Sequence, residues 1–477
     1  MAITNPLAPQ WLQVPADLNA IDHRVWPSSL RRNNDGELAF GGLTVDELVN
    51  LYGSPLYVID EDDFRQRAAK VRDALQGAAA SIGTTAKVYY ASKAFLCTEV
   101  VHWVNDLGLN IDVASGGELA AALAGGMDPA RIGLHGNNKS PAEIGRAVAA
   151  GVGAIVIDSE IEIERIAATA GAQDRVQGVR LRVNTGVHAS THDFLATARE
   201  DQKFGIPMSQ VPALVAQIRA DRHLKFLGLH QHVGSQIFAA EGFVESARRL
   251  VRLHAQLLEG GQIPELNLGG GFGINYKPAD NAPAVSEIAQ QITAAVAAEC
   301  EALGIAVPAL AFEPGRAIVG SSGVTLYNVG TVKDVEVSDA AVPATRKYIS
   351  VDGGMSDNLR TALYEAEYHV VLASRVSSEP AALSRVVGKH CESGDIVVRH
   401  DYLPADVAPN DLLAVAATGA YCHSMSNNYN WIARPPVVAV KGGAARVIVR
   451  GETEADLFLR DVRYQAEHGA KGSGTRG

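Results

Sequence analysis

Along the middle of the chain, short apolar runs rich in β-branched residues alternate with Ala-rich stretches of helical periodicity. Eight runs stand out: Lys87–Ala91, Leu109–Val113, Arg131–Leu134, Ala154–Ile157, Gly178–Val183, Phe226–His230, Glu265–Leu268 and Ala309–Glu313. Between them, apolar spacing predicts helices over Gly117–Ala124, Pro141–Ala150, Glu160–Ala170 and Ser286–Leu303. Eight such units in succession predict an α/β chain built on a (β/α)8 TIM barrel, which usually takes about 250 residues. A doubly wound open sheet uses the same alternation and is the runner-up.

After residue 318 the alternation stops. Val324–Val332, Lys347–Val351, His369–Leu372, Asp395–Arg399, Asp411–Val415, Pro436–Val440 and Ala445–Val449 read as strands with short turns, predicting a second, β-rich domain. Before the barrel lies a polar, turn-rich segment, with a turn at Asn33-Asn34-Asp35-Gly36. The expected division is therefore an N-terminal segment 1–45, a barrel 46–318, a β-rich domain 319–465 and a disordered Gly/Ser/Lys/Arg-rich tail 466–477.

Composition narrows the function. An apolar fraction of 47% can supply a large core, and a net charge of −11 argues against nucleic acid or an acidic membrane as partner. The four cysteines, at 97, 300, 391 and 422, have no CxxC spacing, so neither a disulfide framework nor a zinc knuckle is expected. No basic-then-apolar leader opens the chain, and no run is long enough to span a bilayer, so a soluble cytoplasmic protein is expected.

Polar and glycine residues follow directly on the strand ends, where barrel enzymes place their chemistry. Lys93 closes the run Val88-Tyr89-Tyr90-Ala91-Ser92-Lys93, where its amine could form a Schiff base with an aldehyde cofactor. Asn267-Leu268-Gly269-Gly270-Gly271-Phe272-Gly273 lets backbone N–H groups approach phosphate oxygens, although a tight barrel loop would look the same. Glu313-Pro314-Gly315-Arg316 sets an acid and a base across a rigid turn; the ionised carboxylate could favour the protonated form of a pyridine nitrogen and the base could reach a phosphate or carboxylate, although an isolated Glu/Arg pair is more commonly a surface ion pair. In His230-Gln231-His232 no third ligand follows at a convincing spacing, so no metal is expected, and one imidazole is expected to face the barrel mouth. His188 and His192 have helical ligand spacing but read as solvated loop residues. Cys391, between His390 and Glu392 in a polar turn, could deliver a proton, whereas Cys97, Cys300 and Cys422 read as packing residues.

With these motifs in this order from about Gly42 to Pro435, the chain resembles the pyridoxal-phosphate-dependent, alanine-racemase-like (fold type III) barrel decarboxylases. The resemblance implies a barrel plus a β domain formed by the C-terminal segment together with N-terminal residues. It implies that Lys93 carries pyridoxal 5'-phosphate, that His232 stacks on its ring, and that Ser235, Gly270 and Gly271 hold its phosphate. Glu313 would pair with the ring nitrogen, Gly315 and Arg316 would lie beside the cofactor, and Tyr421 would close over phosphate and substrate. Cys391 and Glu392 would cross from the partner subunit of a homodimer.

Among the family's substrates, ornithine or lysine offers only an ammonium at its far end, whereas diaminopimelate offers an ammonium and a carboxylate. Arg316, Arg360 and Glu392 form the mixed set that the latter needs, and Tyr364 adds a hydroxyl. Thr361, after Arg360, stands where the family usually has proline. The expected reaction is decarboxylation of meso-2,6-diaminopimelate to L-lysine and CO2, the last step of lysine biosynthesis. A sibling decarboxylase acting on D-ornithine, lysine or a carboxylated polyamine is the alternative. A catalytically silent regulatory homologue is the rival of another class, but it need not keep Lys93, Glu313 and Cys391 together.

Overall fold

The computed structural model describes residues 5–187, 203–337 and 344–468. His188, His192 and the tail from 469 onward lie outside these residues. The chain divides into two compact units, one of residues 64–274 and 281–320, the other of residues 1–63, 275–280 and 321–477.

The first unit is the barrel. Its strands are β1 (Ala86–Ala91), β2 (Asn110–Val113), β3 (Ile132–Leu134), β4 (Ala154–Ile157), β5 (Gln177–Asn184), β6 (Leu224–His230), β7 (Glu265–Asn267) and β8 (Ala309–Phe312). Each pairs in parallel with the next, and β8 returns to β1 through Leu310 opposite Ala86, so the sheet closes and the open-sheet alternative falls away. Ala154-Ile155-Val156-Ile157 shows why such a strand is uniformly apolar: all four residues are buried, as a parallel strand covered on both faces requires. The barrel interior also contains one polar cluster. Arg180 Nε donates to Glu265 Oε1 at 2.6 Å and Arg180 Nη2 to the Tyr89 hydroxyl at 2.8 Å, so the buried charge is paired as burial demands.

The helices are stopped and started by local chemistry. Pro141–Ala150 begins in a capping box between Ser140 and Glu143 and ends at Gly151 in the left-handed conformation. Glu241–Leu258, which the apolar spacing did not single out, turns Phe243, Ala247, Leu250, Val251 and Leu257 inward.

The second unit is built on a nine-stranded sheet, seven strands in the order 396–404, 381–387, 344–351, 323–337, 56–60, 437–441, 444–449, with 412–415 also pairing 323–337 and carrying 370–372 beside it. The strand Leu56–Asp60 pairs antiparallel with 323–337 and parallel with 437–441, which draws the chain up to Asp63 into this unit, past the boundary expected near 45. Strand Ala381–Val387 was also missed. Polar Ser384 and Arg385 break its apolar run, and its pairing with Ala344–Val351 is what holds it. The N-terminal Trp11, Leu12 and Leu18 cover Leu383 and Tyr402 of this sheet. No helix among the described residues is long and apolar enough to cross a membrane.

Candidate active site

The C-terminal strand ends of the barrel open onto a cavity of about 410 Å³. Lys93 lines it from a single turn, Ser92–Ala94, directly after β1. Its neighbours Ser92 and Ala94 are buried while Lys93 itself is exposed, so the backbone is anchored and the amine is free to reach the cavity. His232 and Ser235 line the same cavity from the loop after β6, and Glu313 from the end of β8.

Glu313 is buried and tightly held. Asn267 Nδ2 donates to its Oε1 at 2.6 Å, and His230 Nε2 lies 3.2 Å from its Oε2. Burial alone would push this carboxyl up, but His230, His135 and the hydrogen bonds hold it well below the usual carboxylate range. The two imidazoles, with ring centroids 5.0 Å apart, are pushed down to about 4 by burial and stay neutral near pH 7. Asp112, at the end of β2, behaves oppositely: burial, reinforced by the neighbouring Glu313 charge, pushes its carboxyl well above normal. The two carboxyls that share this floor are therefore driven apart, Glu313 downward and Asp112 upward.

The sequence placed His135 at a strand end without giving it a role; it missed Asp112, whose Oδ1 lies 3.1 Å from His135 Nε2. It missed Arg182 as well, whose guanidinium lies 4.3 Å from the ring centre of Phe204, both lining the cavity. Asp112 and Arg182 lie within two residues of the C-terminal ends of β2 and β5 and His135 directly follows β3, and that shared position was the available signal. His135, His230 and Glu313 also bring three possible ligand atoms within 4.8 Å of one another, a grouping that spacing along one strand could not reveal.

The glycine cluster lies next to this cavity. A Cβ on Gly270 would stand 2.0 Å from the Glu313 carbonyl oxygen, and one on Gly271, whose φ is +115°, would stand 2.4 Å from that of Gly234. Gly270 N donates to His232 Nδ1 at 3.3 Å, so the cluster orients an imidazole of the cavity wall. Arg316 is buried at the start of a short helix and donates through Nη2 to Ser235 Oγ at 2.8 Å. Gly315 packs against β1, where a Cβ would lie 2.9 Å from Ala91 O.

The remaining predicted site residues belong to the β-rich unit. Arg360 is buried; its Nη1 donates to the Tyr368 hydroxyl at 2.6 Å and its guanidinium lies 4.7 Å from the centre of the Tyr276 ring. Thr361 is buried and its hydroxyl donates to Val397 O at 3.0 Å, a tie to the sheet that a proline would lack. Tyr364 is exposed. Cys391 and Glu392 occupy an exposed turn whose base is held by Asp395, which accepts from Met355 N at 2.6 Å and His390 N at 2.8 Å. Tyr421 has φ +66°, a backbone conformation that non-glycine residues adopt mainly where function or packing demands it.

Residues 62–320 match the family described as "Pyridoxal-dependent decarboxylase, pyridoxal binding domain". Diaminopimelate decarboxylase of Mycobacterium leprae is 50% identical over 463 residues, covering 95% of this chain and 96% of that protein. The chain belongs to the pyridoxal-dependent decarboxylase family. Diaminopimelate decarboxylase of Staphylococcus aureus is 40% identical over 437 residues, covering 91% of this chain and all of that protein, 100%. The crystal structure of diaminopimelate decarboxylase from M. jannaschii matches with a TM-score of 0.84 at 29% identity, over 91% of this chain and 98% of that one.

The residues present fit the family's cofactor, pyridoxal phosphate. His230 Nδ1 is buried without a hydrogen-bond partner among the described residues, and the close approach of His135 Nε2 to Asp112 is too poorly aligned to satisfy either group. A flat ring bearing a nitrogen and a hydroxyl would give such atoms partners. The close-packed glycines leave no room for a side chain beside the loop that would take its phosphate.

Proposed function

We infer that this decarboxylase converts meso-2,6-diaminopimelate to L-lysine and CO2, the last step of lysine biosynthesis. The observation that carries the reading is a single cavity lined by both an accessible lysine and a buried, ionised glutamate. Near-complete matches to relatives named diaminopimelate decarboxylase supply the substrate.

Bound pyridoxal phosphate supplies the electron sink for the carbanion left when CO2 departs. Lys93 would hold the cofactor covalently and yield it to the substrate amine. Glu313, kept ionised, would keep a proton on the ring nitrogen, and His232 would cover the ring face. Ser235, Gly270, Gly271, Gly315 and Arg316 would hold the phosphate side, with Tyr421 closing over it. Arg360, Arg316, Tyr364 and Glu392 would read the substrate's far ammonium and carboxylate. The Cys391 thiol would return a proton to the product's α-carbon.

The proposal includes a cytoplasmic homodimer in which Cys391 and Glu392 serve the partner's barrel. Both are exposed on their own unit, which suits residues offered to a second chain. CO2 release from meso-diaminopimelate, compared with ornithine, lysine and arginine, tests the substrate. Faster release from ornithine or lysine would replace the reading with that of a sibling decarboxylase.

A further inference from the structure

The β-rich unit carries a second cavity, of about 300 Å³, and none of the residues lining it lines the barrel cavity. One wall is apolar, made by Trp11, Leu12 and Pro15 of the N-terminal segment with Pro278 and Ala279. The polar end carries Lys277, His369, His400 and Asp401.

The carboxylates at that end are already served. Asp401 accepts from His369 Nδ1 at 2.7 Å, Val370 N at 2.9 Å and Tyr402 N at 2.8 Å. Asp280 accepts from Tyr276 N at 2.9 Å and Lys277 N at 3.3 Å. On the cavity lining the unused capacity lies with Lys277 and His400; behind it Glu367, which feels the Lys277 and Arg399 charges, keeps one buried oxygen without a partner among the described residues. The Lys277 ammonium meets Asp280 at 3.4 Å and the Trp11 ring at 4.3 Å, so hydrogens remain for a further acceptor. His400 Nδ1 is buried without a partner among the described residues. Burial, with Arg385, Arg346 and Arg399 close by, pushes the His400 ring down to about 4, so it stays neutral within a positive field. An apolar wall facing an ammonium and an unpaired imidazole nitrogen, which donates in its Nδ1–H tautomer, suits a ligand with an apolar body and an anionic acceptor.

We propose that this cavity binds a small monocarboxylate with an aliphatic or aromatic body, its carboxylate on Lys277 and His400, and that Tyr368 transmits its occupancy to Arg360. Tyr368 lines the cavity, and its hydroxyl accepts the 2.6 Å hydrogen bond from Arg360. Its ring meets that of Tyr276 edge-on at 5.2 Å, and Tyr276 lies beneath the same guanidinium. A ligand pressing on Tyr368 therefore shifts the acceptor that aims Arg360. The link to substrate rests on the reading of Arg360 as a ligand of the far carboxylate; binding to the cavity does not.

The test is calorimetric titration of the full-length holoenzyme with 3-phenylpropionate and, separately, with 3-phenylpropanamide. The carboxylate is expected to bind at least about tenfold more tightly than the amide, a difference of about 1.4 kcal/mol. Binding should be lost in Lys277→Met and in His400→Phe, with thermal melting of each variant checking its fold. Saturating 3-phenylpropionate should change the KM for diaminopimelate at least about threefold, with kcat moving less. Absence of binding heat at millimolar probe, equal affinity for the amide, or binding retained in both variants overturns the proposal. So does binding that leaves KM unchanged. If a variant melts early, the acid–amide comparison on the unaltered protein decides. Failure of the substrate reading shows separately, as absent CO2 release without probe, and leaves the binding heats untouched.

Discussion

The barrel floor and the Cys391 turn are both proposed to serve one reaction, yet they are built on opposite principles. Glu313, Asp112, His135 and His230 are packed at or near the ends of parallel strands; burial raises Asp112 and lowers the two imidazoles, while the imidazoles around Glu313 pull that carboxyl down against its burial. Cys391 and Glu392 stand in solvent on a turn fixed mainly through Asp395 beneath it. A rigid, desolvated floor presets charge before the substrate arrives, whereas an exposed turn leaves its side chains in solvent with their ordinary hydration.

The sharpest break of that comparison is at Lys93. Lys93→Ala should lower CO2 release by on the order of 10⁴-fold and remove the visible absorbance of the purified holoprotein. Near-normal release would mean that the floor serves some other chemistry. Cys391→Ala should lose about 10²- to 10⁴-fold in turnover while keeping bound cofactor, because the turn acts after binding. Mixing Lys93→Ala chains with Cys391→Ala chains should then restore measurable activity in hybrids. If the mixture stays as inactive as its parts, each chain completes its own site.

Acid should expose the floor's preset charge. His135 and His230 take up protons near 4 when folded and near about 6.5 when unfolded, so the unfolded chain binds more protons between those values. Stability should therefore fall as pH drops from about 6.5 to 4, by up to about 3 kcal/mol for each imidazole. Asp112 and Asp357, raised by burial, work the other way over that window, while His232, His254, His400 and His423, also lowered by burial, add to the histidine side. A Tm that is flat from pH 7 to 4.5 would contradict this.

Smaller effects test the supports. Gly270→Ala places a methyl 2.0 Å from a backbone oxygen and should cost about 1–3 kcal/mol in denaturant unfolding, with weaker retention of cofactor. Thr361→Pro removes one hydroxyl hydrogen bond, to Val397 O, at a first-turn position that tolerates proline. It should cost about 1 kcal/mol or less and leave the KM for diaminopimelate within about twofold. A larger change in KM would show that the sheet tie through Thr361 aims Arg360.

The barrel strands were legible because each is a continuous apolar run bounded by polar or glycine residues, as Ala154–Ile157 shows. Lys93 and Glu313 were legible for a related reason: an ionisable residue directly after such a run ends up at the strand's open end. Strand Ala381–Val387 and the inclusion of Leu56–Asp60 in the β-rich unit were not legible, since distant partners hold both in place. Asp112 escaped too, and His135 was legible only as a strand-end residue, because neither sits in a motif and only closure of the barrel sets them beside Glu313.

Local pattern alone thus determined the alternating elements and the residues at their ends, for periodicity and turn chemistry act within a few positions of the chain. Only the tertiary structure decided which acid is pulled down, which is pushed up, and which imidazoles stay neutral. Proton affinity depends on burial and on charges a few ångströms away, and those neighbours come from strands up to two hundred residues apart, as Asp112 and Glu313 do.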